Sequence, residues 1–178
     1  DYKVTGVQTC ALPIYFGATA SIMMQAISAG QPLPVPEGNL IAWDPVAQKE
    51  VWRAKHATFW NGGVLTTAGN LVFQGAGDGT FRAWKADTGE EVWKFDAKTG
   101  IIAPPVTYMV DGEQYVAVLA GWGGVGVTLA PEPANAILKY GNAGKILTFR
   151  LGGQKSIDVP PLDRKSTRLN SSHLVISY

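Results

Sequence analysis

Two stretches of this chain repeat one another without a gap. Residues 38–53 read GNLIAWDPVAQKEVWR, and residues 79–94 read GTFRAWKADTGEEVWK. The matched residues lie 41 positions apart, and they are Gly38 and Gly79, Ala42 and Ala83, Trp43 and Trp84, and Trp52 and Trp93. A period of about 40–45 residues is typical of β-propellers, in which each repeat folds as a four-stranded blade. The repeat therefore predicts an all-β fold built from such blades.

The second repeat lies inside the best-preserved unit. Alternating apolar and polar residues, separated by turns rich in glycine and aspartate, predict a meander of four antiparallel strands there. We expect these strands at residues 63–68, 71–75, 80–84 and 91–95. A further unit begins near residue 105, and a degenerate third copy, GKILTFR, occupies residues 144–150. The chain is therefore expected to hold two to three blades.

The two ends of the chain do not resemble the repeat. The last residues, DRKSTRLNSSHLVISY, resemble the translation of a common sequencing-library adapter, and the first residues resemble the same adapter read on the opposite strand. A disordered polar tail is the alternative interpretation of the last residues. We interpret residues 1–15 and 163–178 as translated adapter that is not native. We expect both ends to pack poorly or not at all.

The segment between these ends is expected to have three regions. Residues 16–37 form a loop or the remnant of a blade, residues 38–153 form the propeller blades, and residues 154–162 begin a proline-containing linker. Within the blades, the insertion PEPANAILKYGN at residues 131–142 is predicted to be a surface loop because it contains proline and asparagine.

The charge of the native segment is close to balanced. The whole chain has a formal net charge of +1 at pH 7, but residues 16–162 hold 11 basic and 12 acidic side chains. This balance indicates no nucleic-acid partner. No apolar run approaches the roughly 18 residues of a transmembrane segment. Cys10 and His173 lie in the predicted adapter, and we assign no role to His56, the remaining histidine.

The two later tryptophans of the repeats are predicted to be packing residues. A small residue, Ala42 or Ala83, precedes each of them by ten positions, at Trp52 and Trp93. A small side chain leaves room for an indole to lie flat, and a buried tryptophan removes about 200 Å² from water. We therefore expect these tryptophans to fill the seams between blades.

The turn inside the second repeat carries a family resemblance. AWKADTGEEVW, with Ala83, Gly89 and Trp93, resembles the tryptophan-docking repeat of quinoprotein dehydrogenases. The first repeat keeps Ala42 and Trp52, but PVAQ replaces the Asp-x-Thr-Gly turn. The stretches WNGGVLTTAGNLVFQG and PPVTYMVDGEQYVAVLAGWGG resemble the last blades of alcohol dehydrogenases that depend on pyrroloquinoline quinone (PQQ). This likeness covers about residues 38–153.

The resemblance implies an eight-bladed periplasmic propeller with PQQ on its axis and Ca²⁺ against the quinone. Such an enzyme oxidises small alcohols to aldehydes by hydride transfer to the quinone, and a cytochrome or quinone accepts the electrons. The family's catalytic aspartate and calcium ligands lie in earlier blades, so this fragment alone is predicted to be inactive. In the quinohaemoprotein subtype, a proline-rich linker leads to a domain that carries haem c.

The resemblance also implies two places where this chain contacts PQQ. One is Trp60 and Asn61, immediately before an expected innermost strand, and the other is Gly124 and Val125 in AGWGGV. An indole can line the edge of a planar cofactor, and glycines let the backbone approach it closely. The alternative for Trp60 is another seam tryptophan.

Two other functions remain open at this point. A non-catalytic propeller scaffold of the outer-membrane assembly type uses similar repeats to bind proteins, although it has no reason to place tryptophan and paired glycines around its axis. A glucose or methanol dehydrogenase is the alternative within the enzyme class. Under any of these functions, two to three blades leave sheet edges and a seam unpaired, and such edges promote aggregation.

Overall fold

The structure, a computed structural model of the 178-residue chain, describes residues 7–8, 25, 28–30, 37–121, 134–154, 157 and 172–175. Within these ranges the elements are β1 (Val7–Gln8), β2 (Gly38–Asp44), β3 (Lys49–His56), β4 (Asn61–Thr67), β5 (Leu71–Ala76), β6 (Thr80–Lys85), β7 (Glu91–Asp96), β8 (Val106–Val110), β9 (Glu113–Ala120), α1 (Ala136–Tyr140), β10 (Lys145–Arg150) and β11 (Ser172–Val175). No helix in the described part is long and apolar enough to cross a membrane.

The strands form three sheets that follow one another along the chain. The first sheet has the order β1-β2-β3, the second β4-β5-β6-β7, and the third β8-β9-β10-β11. Neighbouring strands are antiparallel except for β10 and β11, which are parallel. The predicted all-β fold made of antiparallel blades is confirmed, and the second sheet is a complete four-stranded meander.

The sequence repeat is also a structural repeat. Ala42 pairs with Trp52 across β2 and β3, and Ala83 pairs with Trp93 across β6 and β7. Each of these pairs is followed by a shift in register, directly after the alanine. An extra residue in one strand increases the local twist of a sheet. The two units therefore share pairing, irregularity and twist as well as residues.

Two apolar seams hold the three sheets together. Between the first and second sheets the buried residues are Leu40, Ala42, Trp52, Val72, Trp84 and Ala86. Between the second and third sheets they are Phe73, Phe81, Ala83, Ala97, Ile101, Val116, Val118, Ala120, Leu147 and Phe149. The rings of Phe81 and Phe149 lie at the centre of the larger seam, with centroids 5.3 Å apart. This face-to-face burial of neighbouring sheets is the packing expected of propeller blades.

The insertion after the third sheet's second strand departs from the surface loop that we predicted. Its described part contains helix α1, and both Asn135 and Ala136 are only 2% exposed. The Asn135 side chain caps the helix by accepting from the Ile137 N–H. The Ala136 N–H donates to the Gly77 carbonyl at 3.0 Å. The predicted loop was wrong at residues 136–140, where the bond to the Gly77 carbonyl in the turn between β5 and β6 accompanies a helix. The surface location holds for part of the segment, since Leu138 is 60% exposed.

Short strands from both ends of the chain pair with the blades, although we expected the ends to pack poorly. Val7 and Gln8 pair with β2, and β11 pairs with β10. An edge strand exposes a row of unpaired N–H and C=O groups, and any extended segment can satisfy them. The parallel direction of β11 departs from the meander of the complete blade. The assignment of these ends to translated adapter stays a prediction.

The turn PVAQ has the same backbone shape as the turn ADTG that it replaces. Gln48 has a φ of 51°, and Gly89, which lies 41 residues later, has a φ of 73°. A residue with a Cβ costs roughly 1–2 kcal/mol in this left-handed region, whereas glycine adopts it freely. The first repeat therefore keeps the docking turn at the cost of backbone strain.

Replacing Gln48 by glycine should relieve that strain. We expect the free energy of unfolding to rise by about 1 kcal/mol, which is the steric cost less the extra chain entropy of glycine. The urea midpoint of the full-length protein that carries residues 38–153 is the measurement. Gln48→Ala is the matched control, because it removes the same side chain and keeps the strain. Equal midpoints for the two variants would contradict the prediction.

Candidate functional site

The start of β4, next to the predicted contact at Trp60 and Asn61, and the end of β9 belong to corresponding ends of adjacent sheets. Asn61 begins β4, the first strand of its sheet, and pairs with Ala76 at the end of β5. In the third sheet, the start of β8 at Val106 pairs with Ala117 near the end of β9. The chain that follows Ala120 therefore leaves the third sheet at the end equivalent to the one where β4 begins.

One connecting segment lies between these two ends. A Cβ on Gly62 would stand 3.0 Å from the carbonyl oxygens of Ile101 and Ala103. Ile101 also forms a parallel bridge with Gly121, and the Gly121 N–H donates to the Gly100 carbonyl at 2.7 Å. Gly62 and Gly121 thus contact the same short segment.

The second predicted contact lies beyond the part of the chain that the structure describes. Gly124 and Val125 lie outside the described residues, so their contact with PQQ stays a prediction. The described chain reaches Gly121, three residues before them. The structure therefore locates where this segment leaves β9 and brings that point next to the segment that touches Gly62.

Trp60 lies half-buried at the start of β4, on a loop that is fixed from within. Its ring is tilted by 49° against Phe59, with centroids 5.9 Å apart. The Asn61 amide donates to the Thr58 carbonyl at 2.8 Å and accepts from the Thr58 hydroxyl at 2.9 Å. A Cβ on Gly38 would meet this loop at 1.9 Å. Asn61 therefore shapes the loop that carries Trp60.

Two hydrogen-bonded polar side chains, Gln74 and His56, contact the first residues of β4. The Gln74 amide donates to the Gly62 carbonyl at 2.7 Å, and its oxygen lies 2.8 Å from His56 Nε2. The His56 ring stands edge-on to Trp84, at a centroid distance of 5.9 Å. Sequence analysis gave His56 no role and overlooked Gln74. The available signal was one polar residue in the otherwise apolar strand LVFQGA.

Burial lowers the pKa of His56. Desolvation is the largest cause, and Arg82 adds to it, whereas the hydrogen bond to Gln74 and the charges of Asp78 and Glu91 oppose it. The His56 Nδ1 atom is buried without a hydrogen-bond partner. Protonation would therefore place a second N–H in a site with no acceptor, which costs free energy.

Stability should depend on pH through this histidine. Because the pKa of folded His56 lies below the ordinary value of 6.5, the unfolded chain binds more protons in the window below 6.5. We expect the free energy of unfolding to fall as pH drops through that window. His56→Gln should lose this part of the dependence while keeping an N–H donor. Urea midpoints at about pH 7.5 and 5.5 measure it, and parallel curves for the two proteins would contradict it.

Two aspartates that could suggest a metal site instead form turns. Asp44 accepts from the N–H groups of Val46 and Ala47, and Asp78 accepts from the N–H and hydroxyl of Thr80. In the described part of the chain, no three His, Cys, Asp or Glu side chains come together as a metal site would require.

Three of the predicted docking residues, Ala42, Trp52 and Gly89, lie at the seam between the first two sheets. Trp52 Nε1 donates to the Ala86 carbonyl at 2.8 Å. A Cβ on Gly89 would lie 2.6 Å from Cδ2 of the same indole. Trp52 thus lies flat on the turn of the next blade, with Ala42 beside it in the seam.

Trp93 meets a different surface in the next seam. Its ring is perpendicular to Phe149 of β10 at 5.2 Å and to Phe81 at 5.8 Å, and it is stacked on Phe95 at 6.1 Å. Ala83 packs in the same cluster. Trp93 therefore packs against aromatic side chains, and one of them, Phe149, belongs to the degenerate third copy.

Comparison with known proteins agrees with this geometry. A family model described as the β-propeller domain of glucose/ethanol/alcohol dehydrogenases, of the PQQ type, matches residues 33–116. The chain is 57% identical over 127 residues to a quinohemoprotein alcohol dehydrogenase from Comamonas testosteroni. This alignment covers 71% of this chain and 17% of that protein. It is 51% identical over 125 residues to 1-butanol dehydrogenase (cytochrome c) from Thauera butanivorans, covering 69% of this chain and 17% of that protein.

A solved structure shows the same likeness. The quinohemoprotein alcohol dehydrogenase ADHIIG from Pseudomonas putida HK5 matches with a TM-score of 0.63 and 46% identity, over 72% of this chain and 19% of that one. The chain thus spans less than a fifth of the length of these relatives. The described sheets therefore correspond to blades of the β-propeller of PQQ-dependent alcohol dehydrogenases, and the chain belongs to that β-propeller family.

Proposed function

We propose that this chain is the part of a PQQ-dependent alcohol dehydrogenase that lines one flank of the cofactor, with Trp60 as its main contact. The observation that carries the proposal is the meeting of the Trp60 loop and the exit of β9 on one connecting segment. Gly62 and Gly121, one from each side, contact that segment. Gly124 and Val125 complete the proposed flank.

The residues present fit a flat cofactor on this side. Trp60 offers a half-buried indole, and an indole packs well against a planar ring system. The Asn61 side chain forms two hydrogen bonds with Thr58, and these bonds fix the loop that carries Trp60. When bound, PQQ supplies the two-electron acceptor for oxidation of an alcohol to an aldehyde.

The remaining parts of the enzyme are proposed for other segments of the longer protein. These parts are the catalytic base, the Ca²⁺ ligands and, in the quinohemoprotein form, a haem c domain beyond the linker that begins near residue 154. A cytochrome or quinone would accept the electrons, and the relative named 1-butanol dehydrogenase (cytochrome c) supports a cytochrome. We place the enzyme in the periplasm. Reading the source locus beyond residues 15 and 163 would test both the adapter assignment and these missing parts.

Binding of PQQ to the full-length protein in the presence of Ca²⁺ tests the proposal. Titration followed by quenching of tryptophan fluorescence gives the Kd. We expect Trp60→Phe to raise the Kd about tenfold, which is roughly 1.4 kcal/mol, and Trp43→Phe, in the first sheet, to leave it unchanged. Failure of the wild-type protein to bind PQQ would favour the scaffold alternative. An unchanged Kd for Trp60→Phe would remove Trp60 from the site and leave the enzyme assignment standing.

A further inference from the structure

The start of β4 is irregular at the point where it approaches the proposed cofactor flank. Asn61 pairs with Ala76, and the next paired residues are Val64 and Gln74. Three steps along β4 therefore match two steps along β5, so β4 carries one extra residue, which is a β-bulge. A bulge interrupts the regular ladder of backbone hydrogen bonds. Gly62 and Gly63 lie within this bulge.

The side chain of Gln74 donates to the backbone inside the bulge. Gln74 is 2% exposed, and its amide donates to the Gly62 carbonyl at 2.7 Å. A buried carbonyl without a donor costs free energy, and a strand with an unpaired carbonyl can slip in register. Gln74 therefore fixes the bulge in its present position, two residues from Trp60.

His56 in turn fixes the orientation of Gln74. Because a backbone carbonyl can only accept, the NH₂ end of Gln74 faces Gly62 and its oxygen faces His56 Nε2 at 2.8 Å. His56 therefore carries its proton on Nε2. Its ring is held edge-on by Trp84 at 5.9 Å. The chain of contacts runs from the seam between the first two sheets to the backbone beside Trp60.

We propose that Gln74 and His56 are positioning residues for PQQ binding, because they hold the bulge that sets the place of the Trp60 loop. This inference rests on the proposed function of that loop. Neither residue is proposed to touch the cofactor. Their effect reaches it through the Gly62 carbonyl and the backbone of β4.

The main test uses Gln74→Met in the full-length protein, with Gln114→Met as the matched control. Gln114 is an exposed glutamine that donates to Thr107 on the third sheet. We expect Gln74→Met to raise the Kd for PQQ about tenfold, and Gln114→Met to leave it unchanged. An unchanged Kd for a folded Gln74→Met protein would overturn the proposal.

A second pair separates positioning from general loss of structure. His56→Phe keeps a ring against Trp84 but loses the N–H donor, whereas His56→Gln keeps a donor of similar reach. We expect His56→Phe to weaken PQQ binding and His56→Gln to restore it. Equal Kd values for these two variants would overturn the proposal. This pair decides the matter if Gln74→Met does not fold.

Hydrogen exchange provides a readout that does not depend on the cofactor. In the cofactor-free protein, the amides of residues 61–64 should exchange faster in Gln74→Met than in the wild type or in Gln114→Met. If the wild-type protein binds no PQQ, the proposed function fails, and this exchange alone decides whether Gln74 holds the bulge. Unchanged exchange at these amides would overturn the positioning role.

Discussion

Replacing Trp52 by alanine is expected to lower the free energy of unfolding by about 3–5 kcal/mol. Trp52 is 8% exposed and lies in the seam between the first and second sheets. Its removal would leave a large cavity in that seam and take the donor from the Ala86 carbonyl, which now accepts from Nε1 at 2.8 Å. Both effects act on the contact that joins two blades.

One further variant separates the loss of apolar volume from the loss of the N–H donor, and another is a surface control. Trp52→Phe keeps most of the apolar volume and removes the N–H, so it should cost less than Trp52→Ala. Val92→Ala is the control, because Val92 on β7 is 44% exposed even with both neighbouring sheets in place. Surface truncations of this kind change stability by about 0.5 kcal/mol or less. Urea unfolding of the full-length protein measures all three, and a Trp52→Ala effect as small as that of Val92→Ala would contradict the prediction.

The blades were predictable because local and long-range signals agree. The repeat places Ala42 and Trp52 at the same offset as Ala83 and Trp93, and in both units they become cross-strand partners. Strand alternation and aspartate–glycine turns set the meander of the second sheet. The expected strand at 63–68 begins at Asn61 instead, because Asn61 pairs with Ala76 beyond a bulge that alternation does not reveal.

The features that were missed depend on tertiary contacts. Helix α1 forms where the Ala136 N–H donates to the Gly77 carbonyl. A helix of five residues is too short for its sequence periodicity to predict it. The role of Gln74 follows from its bond to a carbonyl in the bulge, twelve residues away in sequence. Pairing of the terminal strands follows from open edges of β2 and β10. In each case, a backbone group in need of a partner determined the structure.

The turn at Gly89 shows why one repeat needs glycine and the other does not. Gly89 and Gln48 share a left-handed backbone, with φ values of 73° and 51°. Gln48 is exposed, so its side chain costs only backbone strain. At Gly89, a Cβ would lie 2.6–2.9 Å from three atoms of the Trp52 indole. Position 48 can therefore accept a side chain, whereas position 89 cannot unless the indole moves.

Gly89→Ala is accordingly expected to destabilise the protein by about 2–4 kcal/mol, as backbone strain and overpacking of the seam add. The two contributions can be separated, because only the second depends on Trp52. In a Trp52→Ala background the indole is absent, and Gly89→Ala should cost only the strain of about 1 kcal/mol that Gln48→Gly measures with opposite sign. A double-mutant cycle from urea unfolding gives the coupling. Equal costs of Gly89→Ala in the two backgrounds would show that the indole does not rest on Gly89, and that the glycine is required by the turn alone.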